Sequence, residues 1–159
     1  MTADILAILA EHGIVHETHA HPPVLTVEAA RAHWAGIDAA HTKNLLLKDA
    51  GGQYWLVCMP AEKPLDLKSL PEKIGAKRLR FAPAEQLPEL IGVQTGAVSA
   101  FAIGNDGEHR LRLVIDVELM AAERVAFHPN DNQRTTVLSP DGLRAFLRAI
   151  GREAEVVAL

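Results

Sequence analysis

Long hydrophobic runs are the first thing missing. No stretch of about 18 apolar residues occurs in the 159-residue chain, so a membrane span is not expected. There is one cysteine, Cys58, which excludes an internal disulfide framework and any cysteine-based zinc cluster. Aromatic residues make up only 4%, too few for a nucleic-acid surface built on stacked rings. Residues 1–13 contain Asp4 and Glu11 but no Lys or Arg, which is not the pattern of a signal peptide. A soluble cytoplasmic protein is expected. Nucleotide signatures are also missing: no Gly-x-Gly-x-x-Gly follows the first strand, and no Gly-Lys-Ser/Thr occurs. Ser69, Ser99 and Ser139 lack the Gly-x-Ser-x-Gly elbow of a hydrolase triad.

What is present is ordinary globular usage, with 48% apolar and 23% charged residues. One domain over 1–159 is expected, large enough to bury about two thirds of its unfolded surface. The net charge of −4 hides an uneven distribution. Residues 1–42 and 81–159 are each net −4, whereas 43–80 is net +4 through Lys43, Lys48, Lys63, Lys68, Lys73, Lys77, Arg78 and Arg80. Such a basic third either steers a polyanion to one face or is simply a solvated surface.

Helix and strand signals alternate without a linker. Thr2 is placed to cap a helix striped by Ile5, Leu6, Ile8 and Leu9 and stopped at Gly13. Residues 14–20 read as a strand, and Thr26 as the cap of a helix reaching Trp34. The runs 43–49 and 53–59 read as a hairpin around Ala50-Gly51-Gly52. A short helix is expected at 67–74 behind Asp66, an extended piece at 76–81, and a short helix at 83–90. Strands are expected at 97–103, 110–118, 124–128, 134–138 and 154–158. Asn105-Asp106-Gly107 is a turn, and Ser139-Pro140 starts a helix running to Ile150. The result is a mixed α/β fold of about seven strands and four or five helices.

Four features carry possible chemistry. His12, His16, His19 and His21 crowd ten residues, but the spacing is not that of a zincin and no further ligand is evident, so exposed or capping histidines are expected and no metal. Cys58 sits in an apolar strand, as a buried small hydrophobe does. Lys43 opens the strand 43–49 and shares a face with Leu45 and Leu47, while Lys48 shares the other with Asn44 and Leu46. At a pocket rim Lys43 would hold a phosphate or polarise a carbonyl; otherwise it is a strand-end lysine reaching water. The small-residue loop Gly96-Ala97-Val98-Ser99-Ala100 permits close backbone approach to a ligand, and His128 ends a strand where it can hydrogen-bond a substrate. Simple turn chemistry explains these two equally well.

Three ordered motifs, Thr42-Lys43-Asn44-Leu45-Leu46-Leu47-Lys48-Asp49, Gly96-Ala97-Val98-Ser99-Ala100-Phe101 and Phe127-His128-Pro129-Asn130-Asp131-Asn132, resemble the YbaK/prolyl-tRNA synthetase editing-domain family. The resemblance runs through the whole chain and is strongest to the freestanding branch that clears alanine from tRNA for proline. The family loop often ends in Pro, and Ala100 stands there instead. The resemblance implies a mixed, barrel-like sheet packed with helices. It implies hydrolysis of the ester joining a wrong amino acid to the tRNA 3′ adenosine, with no cofactor, no metal and no covalent enzyme intermediate. Lys43 would be the catalytic residue, and Asn44, Gly96, Ala97, Val98, Ser99, Ala100 and His128 would bind substrate. Partners would be the acceptor end of tRNA for proline, gripped by Lys77, Arg78 and Arg80, and transiently prolyl-tRNA synthetase. Two alternatives stay open: a deacylase for cysteinyl- or seryl-tRNA, and a non-catalytic module binding tRNA or synthetase.

Overall fold

A computed structural model describes residues 4–22, 36–94, 97–131 and 133–159. Thr2 and the helix expected at 26–34 lie outside these residues. The first helix, α1 (Ile5–Glu11), is capped by Asp4, whose carboxylate accepts from the Ala7 amide at 3.1 Å. It buries Ile5 and Leu9, which the apolar stripe anticipates.

Strand β1 (His16–Ala20) follows, then β2 (Ala40–Asp49) and β3 (Tyr54–Pro60). The hairpin between β2 and β3 forms as expected, in register from Thr42 opposite Pro60 to Lys48 opposite Tyr54. Asp49 organises its turn. Its buried carboxylate accepts from the amides of Gly51 and Gln53, each at 2.9 Å, and from the Trp55 indole at 3.3 Å. Those bonds favour the charged form and hold the acid below its usual range, although burial alone acts against this. The 77–78 segment is fastened beneath the same turn, because the Ala50 amide donates to the carbonyls of Lys77 (2.9 Å) and Arg78 (3.1 Å).

Next come α2 (Leu70–Ile74), β4 (Leu79–Phe81), a 3-10 turn (Ala84–Gln86) running into α3 (Leu87–Ile91), and a second 3-10 segment (Ala100–Asn105). The helix expected from residue 67 starts at Leu70, since Asp66 folds the preceding turn by accepting from the Lys68 amide. Gly75 closes α2 in the left-handed region at φ 73°, which a side chain would strain.

The strand expected at 97–103 is a misreading. Ser99 accepts from the Phe101 amide at 3.1 Å and caps a 3-10 turn instead. Ala100, Phe101, Ala102 and Ile103 are all buried, and a short run buried on every side shows no period that separates helix from strand.

The chain finishes with β5 (Leu111–Asp116), α4 (Val117–Met120), β6 (Val125–Phe127), β7 (Arg134–Leu138), α5 (Pro140–Ala149) and β8 (Ala154–Val157). Among the described residues there are thus eight strands, against the expected count of about seven. Their order is β1-β7-β6-β2-β3-β5-β8, with β4 paired to β2 off this path. Pairing is mixed: β2 with β6, β3 with β5, and β5 with β8 are parallel, and the others antiparallel.

The two faces of the β2–β3 hairpin serve different cores. Leu46, Leu56 and Cys58 join the larger one, with Phe101, Phe127 and Phe146 at its centre. Phe101 meets Phe127 and Phe146 edge-on, at 5.5 and 5.1 Å between ring centres. Leu47, Trp55 and Val57 on the other face pack with Leu70 and Ile74 of α2. Cys58 is fully buried and its thiol is pushed up by desolvation, as an inert core residue.

An ion pair closes the far side. Arg152 donates to the Asp106 carboxylate at 3.2 Å, to the Asp106 carbonyl at 3.1 Å and to the Leu111 carbonyl at 2.8 Å. Both side chains are buried, so removing one partner strands the other. Arg152→Met is expected to destabilise the fold by about 3 kcal/mol. The check is a urea transition with a lower midpoint and an unchanged slope.

Candidate active site

Strand β2 changes neighbour along its length. Ala40 and His41 pair with Val125 and Ala126 of β6, and Leu47 to Asp49 pair with β4. Among the described residues no strand pairs with 42–46 along that edge. The Ala40 amide donates to the Arg124 carbonyl there, and the Leu46 carbonyl accepts from the Ala82 amide. Alternate residues of a strand turn their main-chain groups to the same edge, so those of Thr42 and Asn44 face the gap. Lys43 therefore does not open the strand. β2 starts three residues earlier, at Ala40, through pairing with a strand more than 80 residues away, which local periodicity cannot reveal. Lys43 stands instead where β6 departs.

Lys43 and Asn44 leave β2 on opposite faces. Lys43 lies opposite Met59 and is partly buried. Burial lowers its pKa, and the nearby Glu62 carboxylate pulls the other way. Asn44 lies opposite Cys58, on the face of the larger core. Its Nδ2 donates to the Thr42 hydroxyl at 3.1 Å, and that hydroxyl donates to the Ala126 carbonyl at 2.8 Å. The Asn44 Oδ1 is buried and has no hydrogen-bond partner among the described residues.

The loop after α3 reaches the same region from β6. The Ser99 hydroxyl donates to the His128 carbonyl at 2.6 Å while accepting from Phe101. Ser99 and Ala100 are fully buried, Ala97 nearly so, and Val98 partly. The Ser99 side chain is thus spent on holding the loop against the end of β6. Gly96 and Asn132 lie outside the described residues.

His128 donates from Nδ1 to the Arg134 carbonyl at 2.9 Å, which leaves Nε2 as an acceptor. Burial pushes its pKa down. Thr42 and His128 flank a cleft of about 20 Å³, room for about one water. The rings of His21 and His128 stand 6.0 Å apart, edge to face. A neutral imidazole acceptor, a lysine, an unpaired amide oxygen and main-chain groups at a strand edge thus gather around one gap. They can orient a polar ester and a water without a nucleophile of the protein's own.

The other histidines disperse. His16 bonds the Ile14 carbonyl through Nδ1, His19 faces Glu17 at 3.6 Å, and His21 bonds Thr135 through Nε2. Among the described residues no group of three or more His, Cys, Asp or Glu could hold a metal ion.

The basic third is less uniform than its composition suggests. Lys63 is bound to Asp116 at 2.9 Å and to Glu118, and both carboxylates hold its ammonium charged. Lys48 and Arg80 are cross-strand partners on one face. With Arg78 they line a groove beside the hairpin turn. Thr42, Asp49 and Asp116 are the structural residues that sequence reasoning passed over. Thr42 lies inside the first of the three motifs, but its role depends on a carbonyl 84 residues away.

The model of the family described as the aminoacyl-tRNA editing domain matches residues 21–146. The chain is 36% identical to the prolyl-tRNA editing protein ProX of Acetoanaerobium sticklandii, covering 98% of this chain and 95% of that one. It is 31% identical to the prolyl-tRNA synthetase associated domain-containing protein 1 of Xenopus laevis, covering 97% and 94%. A solved structure of the hypothetical protein APE2540 superposes with a TM-score of 0.75 at 24% identity, covering 98% and 99%, a likeness of fold.

His41 and His128 both have pKa values lowered from 6.5, chiefly by burial. The unfolded chain therefore takes up protons there that the folded chain refuses, and stability falls as pH drops through this range. The urea midpoint is expected to decline between about pH 7 and pH 5, and less steeply in His41→Gln/His128→Gln. An identical decline in that double variant would remove these histidines as the cause.

Proposed function

The chain belongs to the aminoacyl-tRNA editing-domain family, and from that membership we propose that it is a trans-editing deacylase that hydrolyses the ester of alanyl-tRNA for proline. The observation that carries the reading is the likeness, over almost the whole chain, to a protein named for prolyl-tRNA editing. In this reading the acceptor end of tRNA enters the gap beside β2. Lys43 holds the terminal phosphate or the ester oxygen as a point charge. Main-chain groups of the 96–100 loop steady the oxyanion, and Asn44 and His128 orient the amino acid and ribose. The ribose hydroxyl of the tRNA helps to activate the attacking water. Alanine fits a small pocket that a proline ring does not, a steric exclusion, since an apolar pocket distinguishes one methylene by only about 1–3 kcal/mol.

Single-turnover deacylation of alanyl-, cysteinyl- and seryl-tRNA, side by side, tests the assignment. Fastest loss of the alanyl ester is expected. A faster cysteinyl or seryl reaction would move the protein to another acyl group. Tight binding of tRNA with no hydrolysis would make it a binding module, with prolyl-tRNA synthetase as a candidate partner.

Lys43→Ala should lower the single-turnover rate at saturating protein by about a hundredfold, the worth of one charged contact in a shielded site. Lys48→Ala, from the opposite face of β2, should keep its saturated rate. Equal rates for Lys43→Ala and wild type would defeat the mechanism.

In this reading the acceptor stem lies along the groove beside the hairpin turn. Replacing Lys77, Arg78 and Arg80 by Glu should weaken tRNA binding and flatten its salt dependence, by a slope of about one for each lost phosphate contact. Binding that tracks wild type across a salt series would leave these side chains as mere surface charge.

A further inference from the structure

Resting on the deacylase reading, we propose that Thr42 is a positioning residue: it turns the Asn44 amide so that Oδ1 receives a hydrogen bond from a donor beside the scissile ester. A threonine hydroxyl has one proton, and Thr42 gives it to the Ala126 carbonyl at 2.8 Å. Its oxygen then accepts the Asn44 Nδ2 at 3.1 Å. The amide cannot turn over without setting its own oxygen against one that has no proton left to give. Nδ2 is therefore held toward Thr42, and Oδ1 is directed away from it.

That oxygen is buried, and no described group donates to it. Several other buried polar groups are matched. Ser99 is bonded on both sides, Asp106 takes two amides and Arg152, and Asp116 takes Lys63 and the Glu118 amide. A buried acceptor is costly to leave unmatched, and this one lies on β2 where the edge shared by β6 and β4 has no described neighbour.

A carbonyl oxygen accepts only, so its partner is an N–H or O–H group. The aminoacyl-adenosine end of tRNA has two donors next to the ester: the α-ammonium of the amino acid and the free ribose hydroxyl. Lys43 and Asn44 would then act as complements. The first supplies donors to phosphate or ester oxygens, and the second supplies an acceptor to the groups beside them.

The experiment is single-turnover deacylation of alanyl-tRNA by wild type, Thr42→Val, Thr42→Ser, Asn44→Ala and the Thr42→Val/Asn44→Ala double variant, with a urea midpoint for each. Thr42→Val should slow the saturated rate about tenfold, the effect of one misoriented hydrogen bond. Thr42→Ser should restore it, and Thr42→Val should cost nothing further once Asn44 is Ala. Wild-type rates for Thr42→Val, or additive losses in the double variant, overturn the proposal. Should Thr42→Val fail to fold, Asn44→Asp serves instead. It keeps an oxygen but removes the Nδ2 that Thr42 holds, and an unchanged rate would overturn the same point. Propionyl-tRNA, which lacks the ammonium, identifies the donor. A Thr42→Val penalty that disappears on this ester assigns the ammonium, and one that persists assigns the ribose hydroxyl. A wild type that hydrolyses none of the esters defeats the deacylase reading, and this inference with it.

Discussion

Strand β2 carries the molecule because it belongs to two half-sheets at once. Its first residues pair in parallel with β6, its last ones pair with β4, and β3 runs antiparallel along most of it. A strand can hand over from one neighbour to another on the same edge only by leaving a gap between them. Here the gap falls at 42–46. Everything on one side of it, β6, β7 and β1, is held to the rest of the sheet through two residue pairs and through the Thr42 hydroxyl on Ala126. The elements that bring the 97–100 loop and His128 together are thus placed by where β2 changes partner.

Polar fastenings set the precision of that arrangement. Asp49 closes the hairpin turn, the Asp106–Arg152 pair joins the start of β5 to the segment before β8, and Lys63 ties the turn after β3 to the start of α4. Each holds a loop that the apolar cores alone would leave free to slide, because hydrophobic burial is not directional while a charge-assisted hydrogen bond is. The Ser99 hydroxyl does the same for the loop beside β6. Against this background the Asn44 oxygen stands out as a buried polar atom without a described partner, at the gap itself.

Electrostatics follow the same division. Lys63 contributes to the basic character of 43–80 only on paper, because two carboxylates neutralise it. Lys48, Arg78 and Arg80 are instead gathered by the pairing of β4 with β2 and by the fastening of 77–78 under the hairpin. Where positive charge is grouped is therefore decided by strand pairing rather than by counting lysines.

Much of the architecture was already legible in the sequence. Two apolar runs joined at Ala50-Gly51-Gly52 marked the β2–β3 hairpin, Ser139-Pro140 marked α5, and the order of three motifs pointed to the editing-domain family. These are local signals, written in spacing, turn residues and caps, and local physics suffices to read them. The 3-10 turn at 100–105 escaped because a run buried on all sides carries no periodicity. The true start of β2 escaped because its first two pairs are made with residues 125 and 126. Sequence alone thus determined which side chains are available: a lysine, an asparagine, a small-residue loop and a histidine. Only the tertiary structure decided that Lys43 and Asn44 stand at a gap between two neighbouring strands, that the Ser99 hydroxyl is already spent, and that the Asn44 oxygen is not. The reason is that each of these depends on a hydrogen-bond partner between 29 and 84 residues away or on the departure of a neighbouring strand, and neither leaves a periodic trace along the chain.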